Sequence, residues 1–286
     1  MTEREYYSAR MGKNPHPHQL DLDMFLRLFG NVYTGYASRG YFQEAFGYYC
    51  TDAGRVNGTL GSDVEAAVFG RLRKPSLWPI EQQLHQYSED DAFDVIEFLY
   101  DVVSRPGNAY YHSWNQCGYH YSDFNAHAGQ HEYREEINGL LRDYGDGYVL
   151  SKSGDIQALG PEDMRPLLEQ ELPEYDPGNV DSRVEAAIHK FRHHTPSVED
   201  KREAVRQLAD VLEFLRPKLK GILSSKDEDD LFNIANNFGI RHHNLKQKIE
   251  YDERIWLDWM FHYYLNTIHA TVALLKREGV EFNSAG

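Results

Sequence analysis

Cysteine occurs only twice in 286 residues, at Cys50 and Cys117, which excludes a disulfide framework and fits a reducing compartment. Long apolar runs are missing too. No stretch approaches the roughly 18 residues a bilayer span needs, and the polar opening from Met1 to Arg10 has no signal-peptide h-region. A cytoplasmic protein without membrane contact is the expectation. Positive charge is in deficit, with 30 Lys and Arg against 45 Asp and Glu for a net charge of −15. That excludes bulk coating of nucleic acid, whose affinity comes mainly from phosphate neutralisation. There is no Walker phosphate loop, Rossmann fingerprint, G-x-S-x-G elbow or H-E-x-x-H helix, so nucleotide hydrolysis and zinc proteolysis lose their main supports.

What is present is a folded chain. Hydrophobic residues make up 41% and charged residues 26%, a balance that gives a core and a solvated surface. The length suggests two domains. Pro15-His16-Pro17-His18 opens the chain as an extended arm, because each proline removes a donor and restricts its predecessor. From the cap Asp21, Leu22, Phe25, Leu26, Phe29, Val32, Tyr33 and Tyr36 mark one helical face ending near Gly40. A short turn is expected over Tyr41 to Phe46, a helix over Asp63 to Arg73, and a turn burying Trp78. Ser88 caps a helix carrying Phe93, Ile96, Leu99, Tyr100 and Val103, which Arg105-Pro106-Gly107 ends. Residues 108–131 lack helical periodicity and read as a long loop or irregular strands. Tyr133, Ile137, Leu140, Leu141 and Tyr144 restore a helix, and Lys152-Ser153-Gly154 between two apolar stretches signals a hairpin.

Four prolines between 160 and 180 mark a linker, so the domains are expected at 1–160 and 181–286, joined by 161–180. Ser182 with Glu185, and Ser197 with Asp200, read as capping boxes. Helices follow over about 229–238 and 252–277. Ile255, Trp256, Trp259, Met260, Tyr263, Tyr264 and Ile268 of the last one are expected to face a core. The fold class is therefore mainly α, an N-terminal helical domain with a small β-hairpin followed by a four-helix bundle.

Three groups of residues carry candidate chemistry. Asn236 to Asn244 packs one guanidinium (Arg241), two imidazoles (His242, His243) and three amides (Asn236, Asn237, Asn244) into nine residues after a helix-ending Gly239. Together with Lys246 and Lys248 it forms a local basic island able to meet a phosphate. A basic cluster after a helix C-terminus also complements the helix dipole with no chemistry at all. In the 108–131 stretch, His112, Cys117, His120, His127 and His131 are candidate zinc ligands, and Cys117 with His120 have chelating spacing. Aromatic packing and hydrogen bonding account for that stretch better, and no metal or cofactor is assigned from the sequence. Asp94, Glu97 and Asp101 read as a solvated helix face.

The segment from Ile234 through Gly239-Ile240-Arg241-His242 to His243, followed by a long aromatic helix, resembles the HEPN-like domains at the ends of bacterial abortive-infection proteins. Ser8-Ala9-Arg10-Met11-Gly12, Glu135-Glu136-Ile137-Asn138 and the passage from Leu141 to Ile156 are similar to the N-terminal domain of AbiJ-type phage-defence proteins. The resemblance implies a HEPN bundle, often homodimeric, with a composite metal-independent ribonuclease site. Arg241 and His242 stand at the matching positions, with His243 beside them as a third candidate. Asn237, Asn244, Lys246 and Lys248 are the neighbouring candidates for RNA binding. Active members carry a histidine a few residues beyond the arginine, where this chain has Lys246, Gln247 and Lys248. Either His243 substitutes by geometry, or the domain keeps only dimerisation, RNA binding or docking to another defence component.

Overall fold

The computed structural model describes residues 7–13, 20–160, 172–193, 196–219, 222 and 252–280. The chain divides into two compact units, Met1–Ala158 and Leu159–Gly286. The described residues are mainly helical, with three small antiparallel hairpins. None of their helices is long and apolar enough to cross a membrane.

In the first unit, Tyr7–Arg10 (α1) forms one helical turn within the expected extended arm. The Pro15-His16-Pro17-His18 repeat lies outside the described residues. Helix α2, Leu22–Ser38, starts where Asp21 Oδ1 accepts the Met24 amide at 2.8 Å, and it buries the face that its periodicity predicts. A short turn, Gln43–Phe46 (α3), leads into strands β1 (Tyr48–Cys50) and β2 (Gly54–Val56). Gly47 is required at their entry, because it sits at φ 73° and a Cβ there would lie 2.0 Å from the Val56 carbonyl oxygen. Helix α4 is Val64–Leu72, capped by Asp63, and α5 is Ile80–Gln83. The connecting turn buries Leu77 and Ile80, while Trp78 is only half-buried.

Helix α6, Glu89–Val102, has the expected Ser88 cap, completed as a capping box by Asp91, and three acids in its first turn complement the dipole. Residues 105–125 are more regular than their sequence predicts. They form strands β3 (Arg105–His112) and β4 (Gly118–Asn125), paired from Arg105↔Asn125 to His112↔Gly118. Their mixed pattern of Tyr, His and Gly hid the alternation because both faces carry aromatic rings. Helix α7, Ala126–Arg142, begins directly at the end of β4, with Asn125 as its cap. Gly129 lets this helix approach the start of β3, since a Cβ would lie 2.6 Å from the Arg105 backbone nitrogen.

Helix α7 packs on α2 and α6 around a core of Phe25, Phe29, Tyr36, Ile96, Leu99, Tyr133, Ile137 and Leu141. Phe25 stacks on Tyr144 at 4.4 Å, and Tyr133 meets Tyr36 edge-on at 5.5 Å. The one hairpin the sequence predicts forms as β5 (Tyr148–Leu150) and β6 (Ile156–Ala158).

In the second unit, part of the segment predicted to be a linker belongs to the core. Asp176 accepts the Gly178 and Asn179 amides and starts a π-helical turn, Pro177–Asp181, that buries Val180. Helix α8, Ser182–Phe191, continues from that turn. The capping box expected at Ser182 does not form. The helical path starts earlier, and the Ser182 hydroxyl donates to the Gly178 carbonyl instead. The Ser197–Asp200 box does form, ahead of α9, Val198–Leu219.

Helix α10, Glu253–Arg277, packs along α9, and α9 also packs on α8. Their shared core holds Val184, Phe191, Leu208, Leu212, Met260, Phe261, Tyr264 and Ile268. Phe191 and Phe261 stack with centroids 3.7 Å apart. Three residues of α10 expected in this core face outward: Ile255, Trp256 and Trp259 are 64%, 40% and 43% exposed. The apolar stripe runs instead through Leu257, Phe261, Leu265, Val272 and Leu275, which an all-round aromatic sequence does not reveal. The helix expected over 229–238 lies outside the described residues.

Candidate metal centre

The first unit gathers Cys50, His112, Cys117 and His120 so that one ligand atom from each lies within 4.8 Å of the others. Each residue owes its position to a different turn of chain. Cys50 ends β1, and its hairpin partner is Gly54, which at φ 70° turns the chain into β2. His112 ends β3, and Cys117 sits in the connection to β4. His120 lies diagonally across from His112 on the same face of the ribbon, because His112 pairs with Gly118 and Tyr110 with His120. The connection passes through Asn115 at φ 47° and Gln116 at φ 54°, a left-handed pair that brings the Cys117 sulfur back toward the ribbon.

The donors interlock as thiol–imidazole pairs. Cys50 Sγ lies 3.7 Å from His112 Nδ1, and Cys117 Sγ lies 3.3 Å from His120 Nε2. His112 Nε2 is 3.1 Å from Asp52 Oδ2, so the carboxylate holds the proton on the far nitrogen and leaves Nδ1 facing the sulfur. The Tyr48 ring lies against His120 at 4.4 Å. Hydrogen bonds from Thr51, whose amide lies 3.3 Å from the sulfur, are the main force pulling the Cys117 thiol down to about 6, with His112 and His120 adding to it. Cys50 is buried and the other three are half-buried.

The sequence pointed to His112, Cys117 and His120 and missed Cys50, which lies 62 positions before His112. Its signal was that it is the only other cysteine. His127 and His131, grouped with the same stretch by sequence, are exposed on α7 and take no part in the cluster.

The acids of α6 do not form a free carboxylate face. Asp94 binds Lys74 at 2.6 Å, and Glu97 accepts the Ile156 amide at 2.6 Å, tying β6 to the helix. With Asp101 and Arg71 they border a cleft of about 240 Å³. Two of these three helix acids, Asp94 and Glu97, are thus engaged in holding the fold.

Arg241, His242, His243, Asn237, Asn244, Lys246 and Lys248 all lie outside the described residues. Comparison with protein-family models, with curated proteins and with solved structures finds no match for this chain.

Proposed function

We propose that the chain is an abortive-infection protein whose second unit is a HEPN-like bundle that cleaves or binds RNA without a metal, through Arg241, His242 and His243. The observation that carries this reading is the packing of α9 along α10 over one continuous aliphatic and aromatic core. In the chain, the Asn236–Asn244 segment falls between these two helices.

The residue types suit a cleavage in which a ribose 2′-oxygen attacks phosphorus and the 5′-oxygen leaves. An imidazole takes or returns the proton, and the guanidinium meets the growing negative charge. Asn237, Asn244, Lys246 and Lys248 would hold the RNA backbone beside them. The site would be cytoplasmic and shared between two copies of the chain.

The test is an RNA-cleavage assay on the full chain. Cleavage that falls at least a hundredfold in Arg241→Ala and in His242→Ala supports the reading. Cleavage unchanged in both variants refutes the assigned site.

A second reading has its own observation. Ile255, Trp256 and Trp259 are exposed along α10, an apolar surface suited to pairing with a second copy. On this reading the unit is a dimerisation module without catalysis. Wild-type protein that dimerises in sedimentation yet cleaves no RNA would favour it.

A further inference from the structure

We propose that Cys50, His112, Cys117 and His120 are the four ligands of one structural zinc(II) ion, which clamps the β1–β2 hairpin to the β3–β4 hairpin. The proposal concerns the first unit and stands apart from the RNA reading.

Distance is the first argument. Zinc bonds of about 2.3 Å to sulfur and 2.0–2.1 Å to nitrogen, set tetrahedrally, separate the donors by roughly 3.3–3.8 Å. The two thiol–imidazole pairs, at 3.7 and 3.3 Å, already meet that spacing. The remaining separations, none above 4.8 Å, close to that range with about 1 Å of side-chain movement.

Chemistry selects the ion. Two sulfur and two imidazole donors reject magnesium and calcium, which demand oxygen. A two-iron cluster with the same four residue types would place both cysteines on one iron and both histidines on the other. Here each cysteine sulfur lies beside a histidine nitrogen and all four donors lie within 4.8 Å of one another, which suits a single ion.

The surroundings are arranged for a ligand. Asp52 behind His112 is the carboxylate that commonly orients a metal-bound imidazole. The Thr51 amide donates to the Cys117 sulfur, as backbone amides do to zinc-bound thiolates. The two thiolates would balance the charge of the ion.

All four positions are filled by protein, so the site is closed, and the ion would hold structure and activate no water. What it would hold is plain from the fold. Two hairpins of three and eight residues per strand have little core between them, and a two-stranded ribbon alone is marginal in water.

The experiment is metal analysis of the full chain, expressed without a histidine tag and purified under reducing conditions. About one zinc per chain is expected. Replacement by cobalt(II) should give the intense visible bands of a tetrahedral site with two thiolates, a readout that needs no variant. Cys50→Ser and Cys117→Ser should each lower zinc at least tenfold, while His127→Gln and His131→Gln should keep it in full. Reduced wild-type protein that takes up neither zinc nor cobalt overturns the proposal. So does full zinc in the Cys50→Ser/Cys117→Ser double variant, or a Cys50–Cys117 disulfide whose reduction yields no metal binding.

Discussion

Asp52 Oδ2 lies 3.1 Å from His112 Nε2, on the side of the imidazole that faces away from Cys50. The carboxylate sets the tautomer and the ring angle of a ligand while touching no metal itself. Asp52→Ala is expected to keep one zinc per chain at saturation and to weaken its affinity about 10- to 100-fold. Competition with a chromophoric chelator measures the change, and an unaltered affinity would remove Asp52 from the site.

Asn138 is buried on α7 and bonds both backbone groups of Leu150. Its Oδ1 accepts the amide at 2.6 Å, and its Nδ2 donates to the carbonyl at 3.2 Å. Asn138→Leu removes both partners at once, and each buried group left unpaired costs about 1–3 kcal/mol. Urea melts should show that loss, and the Leu150 amide should exchange faster with solvent. Asn138→Asp keeps the acceptor but turns a buried carboxylate toward the Leu150 carbonyl, so it should not restore stability.

The Ser197–Asp200 capping box starts α9, the helix that packs on both α8 and α10. Ser197→Ala leaves the Asp200 amide without its side-chain acceptor and is expected to destabilise the second unit by about 1 kcal/mol. Chemical denaturation reads this directly. Ser182→Ala is expected to shift stability much less, because no amide depends on its hydroxyl.

His262 and His269 are buried on α10, and burial holds both imidazoles below the ordinary histidine value. Lys201 pushes His262 further down, and Asp258 pulls it partly back. A depressed folded value means the unfolded chain binds protons first as pH falls. Their stabilisation is therefore complete above about pH 6.5, the unfolded value, and is lost as pH drops through the folded values. Melts between pH 7.5 and 5 should show falling stability, and His269→Leu should flatten that slope.

Much of the fold was legible because its signals are local. Asp21, Ser88 and Ser197 accept amides within three residues of themselves, and their helices follow the 3.6-residue spacing of Phe25, Phe29 and Val32 or of Leu208, Val211 and Leu215. The β5–β6 hairpin was readable from the turn chemistry of Lys152-Ser153-Gly154. The β3–β4 ribbon was not, since rings on both faces erase the alternation that marks a strand. Ser182 shows the limit of a capping rule: two residues with the right spacing bond otherwise when an earlier turn has already started the helix.

By itself the sequence determined where α2, α6 and α9 begin, which faces α2 and α6 bury, and that His112, Cys117 and His120 are rich in donors. Only the tertiary structure brought Cys50 to them, because β1 and β3 meet through folding across 62 positions and no local spacing encodes that encounter. It also decided which side of α10 is inside. An helix with aromatic residues all round has no preferred face until α9 packs against one of them.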